Sequence, residues 1–337
     1  MKNLEEVTEL LNSSMKKVVI VSHRSPDGDS IGSSLGLGHF LNSLGHEVQV
    51  LTPDPAPDFL SWMSGFDDMS NFEKGRAHCE KAIAAAEIIF CLDFNTLMRA
   101  ASLEQPIRAN KSATLINLDH HQDPEDFAHY QWSDTTASST AEIVFQFAEE
   151  VKGEVFENKD FAACIYTGIL TDTGSFRFSS TSAKTHQIAA KLLEMGVDQT
   201  FIHSKVYDSY SVDRLNLLGY ALHEKLIVID SLHTAIIALT EKELQQYNFR
   251  KGDTEGLVNY PLSIKEINLA ILITQKDGKV KMSFRSKGDF AVNQLAAAHF
   301  SGGGHLNAAG GISQQDVPNT VQLLREILED YAAELDY

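Results

Sequence analysis

Through the first half of the chain, short apolar runs alternate with stretches of mixed, helix-like text. Lys17-Val18-Val19-Ile20-Val21-Ser22 is a β-branched run that stops at His23. Ser30 to Leu44 then reads as a helix, with Asp29 or Ser30 placed to cap it. His46 to Thr52 alternates like a second strand, and Ala82 to Glu87 looks helical. Ile88 to Leu92 is an apolar run ending at Asp93, and Ala113 to Leu118 is another ending at Asp119. Apolar strands separated by helices predict a parallel sheet covered on both faces. In such sheets ligands bind beyond the carboxyl ends of the strands.

Helical text dominates from Ala137 to Leu193 and places Asp172 near the end of a helix; Gln187 to Leu193 is a further helix closed by Gly196. Val212 to His223 reads as a helix bridging two domains. After Glu224 the pattern changes. Leu226–Ile229 and Thr234–Leu239 predict paired strands, and Ile267–Thr274 and Lys279–Ser286 flank Asp277-Gly278, a hairpin turn signal. A helix starting near Asp289 leads to Gly302-Gly303-Gly304-His305. The expected fold class is α/β. A parallel-sheet domain over 1–195 is followed by a helical linker over 196–223 and a smaller α+β domain over 224–337.

Composition narrows the function. The net charge of −18 disfavours long-range attraction to a nucleic-acid polymer. Cys79, Cys91 and Cys164 have no paired spacing, which argues against a disulfide framework or a thiolate zinc site. The longest apolar stretches are strand-sized and the first residues lack an apolar signal region, so a cytoplasmic location without membrane association is expected. Gly32, Gly36 and Gly38 do not make a dinucleotide fingerprint, and no P-loop occurs.

Candidate chemistry gathers in four clusters: His23 with Asp27-Gly28-Asp29, then Asp93, then Asp119-His120-His121, then Asp172. An aspartate after a strand is by itself an ordinary turn or helix cap. Four such clusters at successive element ends supply the oxygen and imidazole donors of a two-ion site. Asp93, at the end of a central strand, is the natural bridge. Of the neighbours His120 and His121, one can bind metal while the other faces substrate, and Asp119 can orient one of them. Mixed carboxylate and imidazole donors favour Mn2+, then Mg2+ or Co2+. In the second half, Lys279, Lys281, Ser283 and Arg285 share one strand face, either solvated or phosphate-binding. Arg285 could grip phosphate bidentately. Gly302, Gly303 and Gly304 read either as an anion-binding nest or as a helix cap and turn, with His305 as a further donor. Arg177 could touch phosphate or form a surface ion pair.

These residues resemble the DHH phosphoesterase superfamily, whose motif stands here as Asp119-His120-His121. The resemblance extends through Val21-Ser22-His23, Asp27-Gly28-Asp29, Asp93 and Thr167 to Arg177, and, in the associated C-terminal domain, Phe284-Arg285-Ser286 and Gly302 to His305. No motif position departs from the family pattern. Within it, the bifunctional oligoribonuclease and 3′-phosphoadenosine 5′-phosphate (pAp) phosphatase type, the nanoRNases, matches best. The resemblance implies one ion on His23, Asp27 and Asp93 and another on Asp29, Asp93, His120 and Asp172. It implies that His121 contacts the phosphate or assists the leaving group. Arg177 would offset charge on the phosphoryl oxygens, while Arg285, the glycines and His305 would hold the far end of the substrate. The expected substrates are pAp and very short oligonucleotides, not long strands, and the expected assembly is a homodimer. Hydrolysis of linear or cyclic dinucleotides, an inorganic pyrophosphatase and a catalytically inert nucleotide sensor are the alternatives. Family II pyrophosphatases carry a basic clamp where this chain has Gly302 to His305, which argues against that one.

Overall fold

The computed structural model describes residues 3–250 and 252–336. The chain divides into two compact units, Met1–Ser209 and Tyr210–Tyr337.

In the first unit, strands β1 (Lys17–Val21), β2 (Glu47–Thr52), β3 (Ser70–Asn71), β4 (Ile88–Leu92), β5 (Thr114–Asp119) and β6 (Tyr130–Ser133) form one sheet in the order β3-β2-β1-β4-β5-β6. Every pairing is parallel. The helices are α1 (Leu4–Ser13), α2 (Gly28–Ser43), α3 (Phe72–Ala85), α4 (Glu104–Ala109), α5 (Thr140–Lys152), α6 (Lys159–Asp172), α7 (Ala183–Glu194) and α8 (Gln199–Tyr207). Alternation along the strands sorts them onto two faces. Val18 and Ile20 of β1 pack with α1, α2, α5 and α6, whereas Val19 and Val21 pack with α3 and α4. The expected parallel sheet with helices on both faces is therefore what forms. The short strands β3 and β6 lie at its edges, and their mixed, half-buried residues carry little sequence signal.

The chain order reverses between β1 and β4, with β2 and β3 to one side and β5 and β6 to the other. Such a switch point opens a crevice at the strands' carboxyl ends. Close helix packing frames it. Gly28, Gly32 and Gly36 form one face of α2 against α6, where a Cβ on Gly32 would sit 2.6 Å from the Cys164 carbonyl oxygen.

The second unit begins with α9 (Val212–Glu224), followed by β7 (Leu226–Ile229), β8 (Thr234–Leu239), α10 (Glu241–Gln246), β9 (Leu269–Lys276), β10 (Lys279–Ser286), α11 (Val292–His299), β11 (Gly303–His305), β12 (Ala308–Ser313), α12 (Val317–Glu329) and α13 (Ala332–Leu335). Its mixed sheet runs β11-β12-β10-β9-β8-β7, with β8 and β9 parallel. Asp277 and Gly278 both have positive φ, as a two-residue hairpin requires. Gly302 donates its N–H to the Ala296 carbonyl oxygen at 3.1 Å and so closes α11, as the helix-cap reading expected, but the residues after it form neither a nest nor a turn. Gly303, Gly304 and His305 are an edge strand paired with Gly310, Ala309 and Ala308. The helix expected from Asp289 starts at Val292.

Candidate metal centre

Each cluster is delivered by a distinct local device. Asp27 is the N-cap of α2: its Oδ1 accepts from Asp29 N–H at 3.1 Å and Ser30 N–H at 3.0 Å. Its Oδ2 is 3.9 Å from His23 Nε2, so capping occupies one oxygen and leaves the other facing the crevice. Asp29, in the first turn of α2, is almost fully buried. Its two oxygens accept from the N-terminus of α5, from Thr140 N–H at 2.7 Å and Ala141 N–H at 2.9 Å. Asp93 directly follows β4 and adopts a left-handed backbone, φ 67°. That conformation costs a non-glycine residue on the order of 1–3 kcal/mol and recurs at functional sites. Asp119 closes β5, and Asp172 ends α6.

The side chains converge. His23 Nε2 lies 3.2 Å from Asp93 Oδ2. His120 Nε2 lies 3.5 Å from Asp93 Oδ1, 3.5 Å from Asp172 Oδ2 and 3.9 Å from Asp29 Oδ2. His121 Nδ1 is 2.7 Å from Asp119 Oδ1 and 3.7 Å from Asp93 Oδ1. Within the first unit, three sets of described residues place ligand atoms within 4.8 Å of one another: His23, Asp27 and Asp93; Asp29, His120 and Asp172; Asp93, Asp119 and His121. Asp93 belongs to two of these sets and also touches His120.

The donor chemistry fits a cation. His23 Nδ1 is 2.7 Å from the Arg24 carbonyl oxygen, which can only accept, so Nδ1 carries a hydrogen. A neutral His23 would then aim the Nε2 lone pair at carboxylate oxygens, acceptor against acceptor. A metal ion or a proton must lie between them. Asp119 adds a buried Oδ2 without a hydrogen-bond partner.

The titration behaviour has the same cause. Burial, with Asp93 and Asp172 close by, pushes Asp29 well above the usual carboxylate range. Burial also opposes the charge on Asp93, but hydrogen bonds from His120 and His23 overcome it and hold Asp93 well below that range. Burial disfavours a charged His120; Asp172, Asp93 and Asp29 outweigh it and raise its pKa well above 6.5. His23 is raised in the same way, against burial, by its bond to Asp93 and the charge of Asp27. His121 moves the other way, because burial wins over its bond to Asp119. A neutral His121 that donates Nδ1–H to Asp119 carries its lone pair on Nε2.

Of the other candidates, Arg177 belongs to the first unit, and Arg285, Gly302 to Gly304 and His305 to the second. Arg177 is exposed, with its guanidinium over the Phe178 ring at 5.5 Å. Arg285 pairs with Ala308, which pairs in turn with His305, so all three side chains share one sheet face. Gly310 lies between Ser283 and Gly303 on that face. Gly304 has φ 148°, and a Cβ there would strike the Ala308 carbonyl oxygen. Two residues near the metal cluster escaped sequence reading. Half-buried Arg99 lowers the pKa of His23 and His121 through its charge. Thr140 donates its hydroxyl to Asp93 Oδ1 at 3.0 Å.

Comparison with known proteins gives the family. Residues 17–169 match the DHH family, N-terminal domain, and residues 232–334 match the DHHA1 domain. The probable bifunctional oligoribonuclease and PAP phosphatase NrnA of Streptococcus mutans is 30% identical over 297 residues, spanning 88% of this chain and 89% of that protein. The chain belongs to the DHH family. DHH phosphoesterases are metal-dependent hydrolases, and the clusters above are donors suited to such metals. A crystal structure of an exopolyphosphatase-related protein from Bacteroides fragilis superposes with a TM-score of 0.93 at 40% identity, covering 99% of this chain and 97% of that one. The cyclic-di-AMP phosphodiesterase GdpP of Geobacillus thermodenitrificans is 27% identical over 94% of this DHH chain, which spans 47% of that longer protein. Among the described residues, no helix is long and apolar enough to cross a membrane.

Proposed function

We propose that this DHH protein hydrolyses pAp and very short oligonucleotides, with two divalent ions, Mn2+ first among them, in the crevice of the first unit. The observation that carries the reading is the convergence of His23, Asp27, Asp29, Asp93, His120 and Asp172 around shared oxygen and imidazole donors. The S. mutans relative, matched over most of both chains, supports the substrate class.

His23, Asp27 and Asp93 would hold one ion, and Asp29, Asp93, His120 and Asp172 the other. Bound divalent ions supply Lewis acidity and lower the pKa of a coordinated water. The protein's own groups do the rest. Asp93 links the two ligand sets through its separate oxygens. His121, oriented by Asp119, would take up a proton from the attacking water at Nε2 and, as the imidazolium, contact the phosphate or return that proton to the leaving oxygen. Arg177, on its exposed turn, offsets phosphoryl charge. In the second unit, Arg285 and His305 flank small residues on one sheet face. That arrangement lets an anion approach the backbone between two cationic or donor groups.

The test is a substrate panel with Mn2+: pAp, a linear dinucleotide, a 5-mer, a 24-mer and pyrophosphate. Turnover of pAp and the dinucleotide with little on the 24-mer is expected. Preference for pyrophosphate or for the 24-mer overturns the assignment. The GdpP relative favours a second reading, a hydrolase specialised for dinucleotides. It predicts turnover of linear or cyclic dinucleotides without pAp cleavage.

A further inference from the structure

We infer that Thr140 is a positioning residue that sets Asp29 and Asp93 at their working separation. The inference rests on the metal-dependent reading above and extends it to a residue outside the ligand sets.

The segment Ser138-Ser139-Thr140-Ala141-Glu142 enters α5 with three successive hydroxyls, each with a different task. Ser138 Oγ donates to Glu142 Oε2 at 2.6 Å, and Thr185 Oγ1 of α7 donates to the same oxygen at 2.8 Å. This ties the turn to a neighbouring helix. Ser139 Oγ caps α5 by accepting from Glu142 N–H at 3.1 Å. Thr140, fully buried, then reaches both acids: its N–H donates to Asp29 Oδ2 at 2.7 Å and its hydroxyl to Asp93 Oδ1 at 3.0 Å.

Those two acids come from opposite sides of the crevice, Asp29 from the first turn of α2 and Asp93 from the turn after β4. In the proposed site Asp93 serves both ligand sets and Asp29 one of them, so their spacing governs how the sets fit together. Asp93 also lies beside the imidazoles of His23, His120 and His121. A threonine hydroxyl holds one lone pair of the carboxylate without adding charge. The other lone pairs stay directed into the crevice. Outer hydrogen bonds of this kind are typically worth about 10–100-fold in metal affinity.

Thr140→Val removes the hydroxyl with little change of shape and keeps the N–H to Asp29. Thr140→Ser restores the hydroxyl. The experiment is calorimetric titration of metal-free wild type and both variants with Mn2+. Mn2+ electron paramagnetic resonance of the loaded proteins and thermal melts of the metal-free ones accompany it. The expected result is a ~10–100-fold weaker affinity in Thr140→Val, with altered coupling between the bound ions, and recovery in Thr140→Ser. Wild-type affinity and coupling in Thr140→Val overturn the inference. So does a lowered melting temperature with unchanged affinity per folded molecule, which marks a purely structural hydroxyl. Failure of the wild type itself to bind Mn2+ overturns both this inference and the function on which it rests.

Discussion

A single methyl group at Gly168 should disable the crevice without replacing a ligand. Gly168 lies on α6, where an added Cβ would sit 2.5 Å from Ala141 Cβ and 2.9 Å from Asp29 Oδ1. Carbon atoms in ordinary contact are ~3.5–4.0 Å apart, so α5 and α6 would have to separate by about 1 Å. Overpacking of that kind costs about 1–3 kcal/mol. The same movement draws Ala141 N–H away from Asp29, weakening a charge-assisted bond worth about 1.5–3 kcal/mol. The helix propensity of alanine returns about 1 kcal/mol. The net expectation for Gly168→Ala is a loss of about 2–4 kcal/mol, together with weaker metal binding. Gly219 on α9 is the control: nothing lies within 4 Å of its added Cβ, so Gly219→Ala should stabilise by about 0.5–1 kcal/mol. Urea unfolding, read in the transition of each residue's own unit, gives both numbers. A neutral or stabilising Gly168→Ala with normal Mn2+ affinity would refute the packing argument.

Three further outcomes follow from other parts of the molecule. Arg285→Ala should raise KM for pAp about 10–100-fold with kcat little changed, whereas equal losses in kcat and kcat/KM would place Arg285 in the transition state instead. Burial works against the charge of Glu243, but Lys225, Thr240 and Tyr220 hold its pKa down at about 2 from 4.5. A depressed carboxylate stabilises the fold above its unfolded pKa and loses that contribution as pH falls from 4.5 toward 2. Glu243→Gln should therefore cost about 1 kcal/mol at pH 7 and flatten the acid limb of the second unit's stability curve; an unchanged slope counts against this. Asp29, His120 and His23 all sit above their usual pKa values, so the metal-free site holds its protons to higher pH than free side chains do. Mn2+ addition in weak buffer should release protons, detectable with an indicator dye, and the absence of release would contradict the titration scheme.

The sequence was most informative where one physical force acted alone. β-branched runs at Lys17–Val21 and Ile88–Leu92 fixed the central strands, because burial on both faces leaves an uninterrupted apolar signal. The acids beyond them were legible for the same reason. Strand β6 and the pair β11 and β12 at one side of the second sheet were not: short segments rich in glycine or polar residues form only because a neighbouring strand offers its hydrogen bonds. Asp27 shows why a cap and a ligand need not be alternatives, since one carboxylate has two oxygens. Gly32, Gly36 and Gly38 failed as a nucleotide fingerprint, yet Gly32 and Gly36, together with Gly28, form the face on which α2 approaches α6. Thr140 was hidden in Ser-Ser-Thr, text that reads as a helix cap until Asp29 and Asp93 are seen on either side.

The central claim is that imidazoles and carboxylates distant in sequence share cations in one crevice. Anomalous diffraction from Mn2+-soaked crystals, collected on both sides of the manganese edge, tests it most directly. The account predicts two peaks per chain, one among His23, Asp27 and Asp93 and one among Asp29, Asp93, His120 and Asp172, both lost in Asp93→Ala. Peaks elsewhere on the chain, or none at these residues, would contradict it.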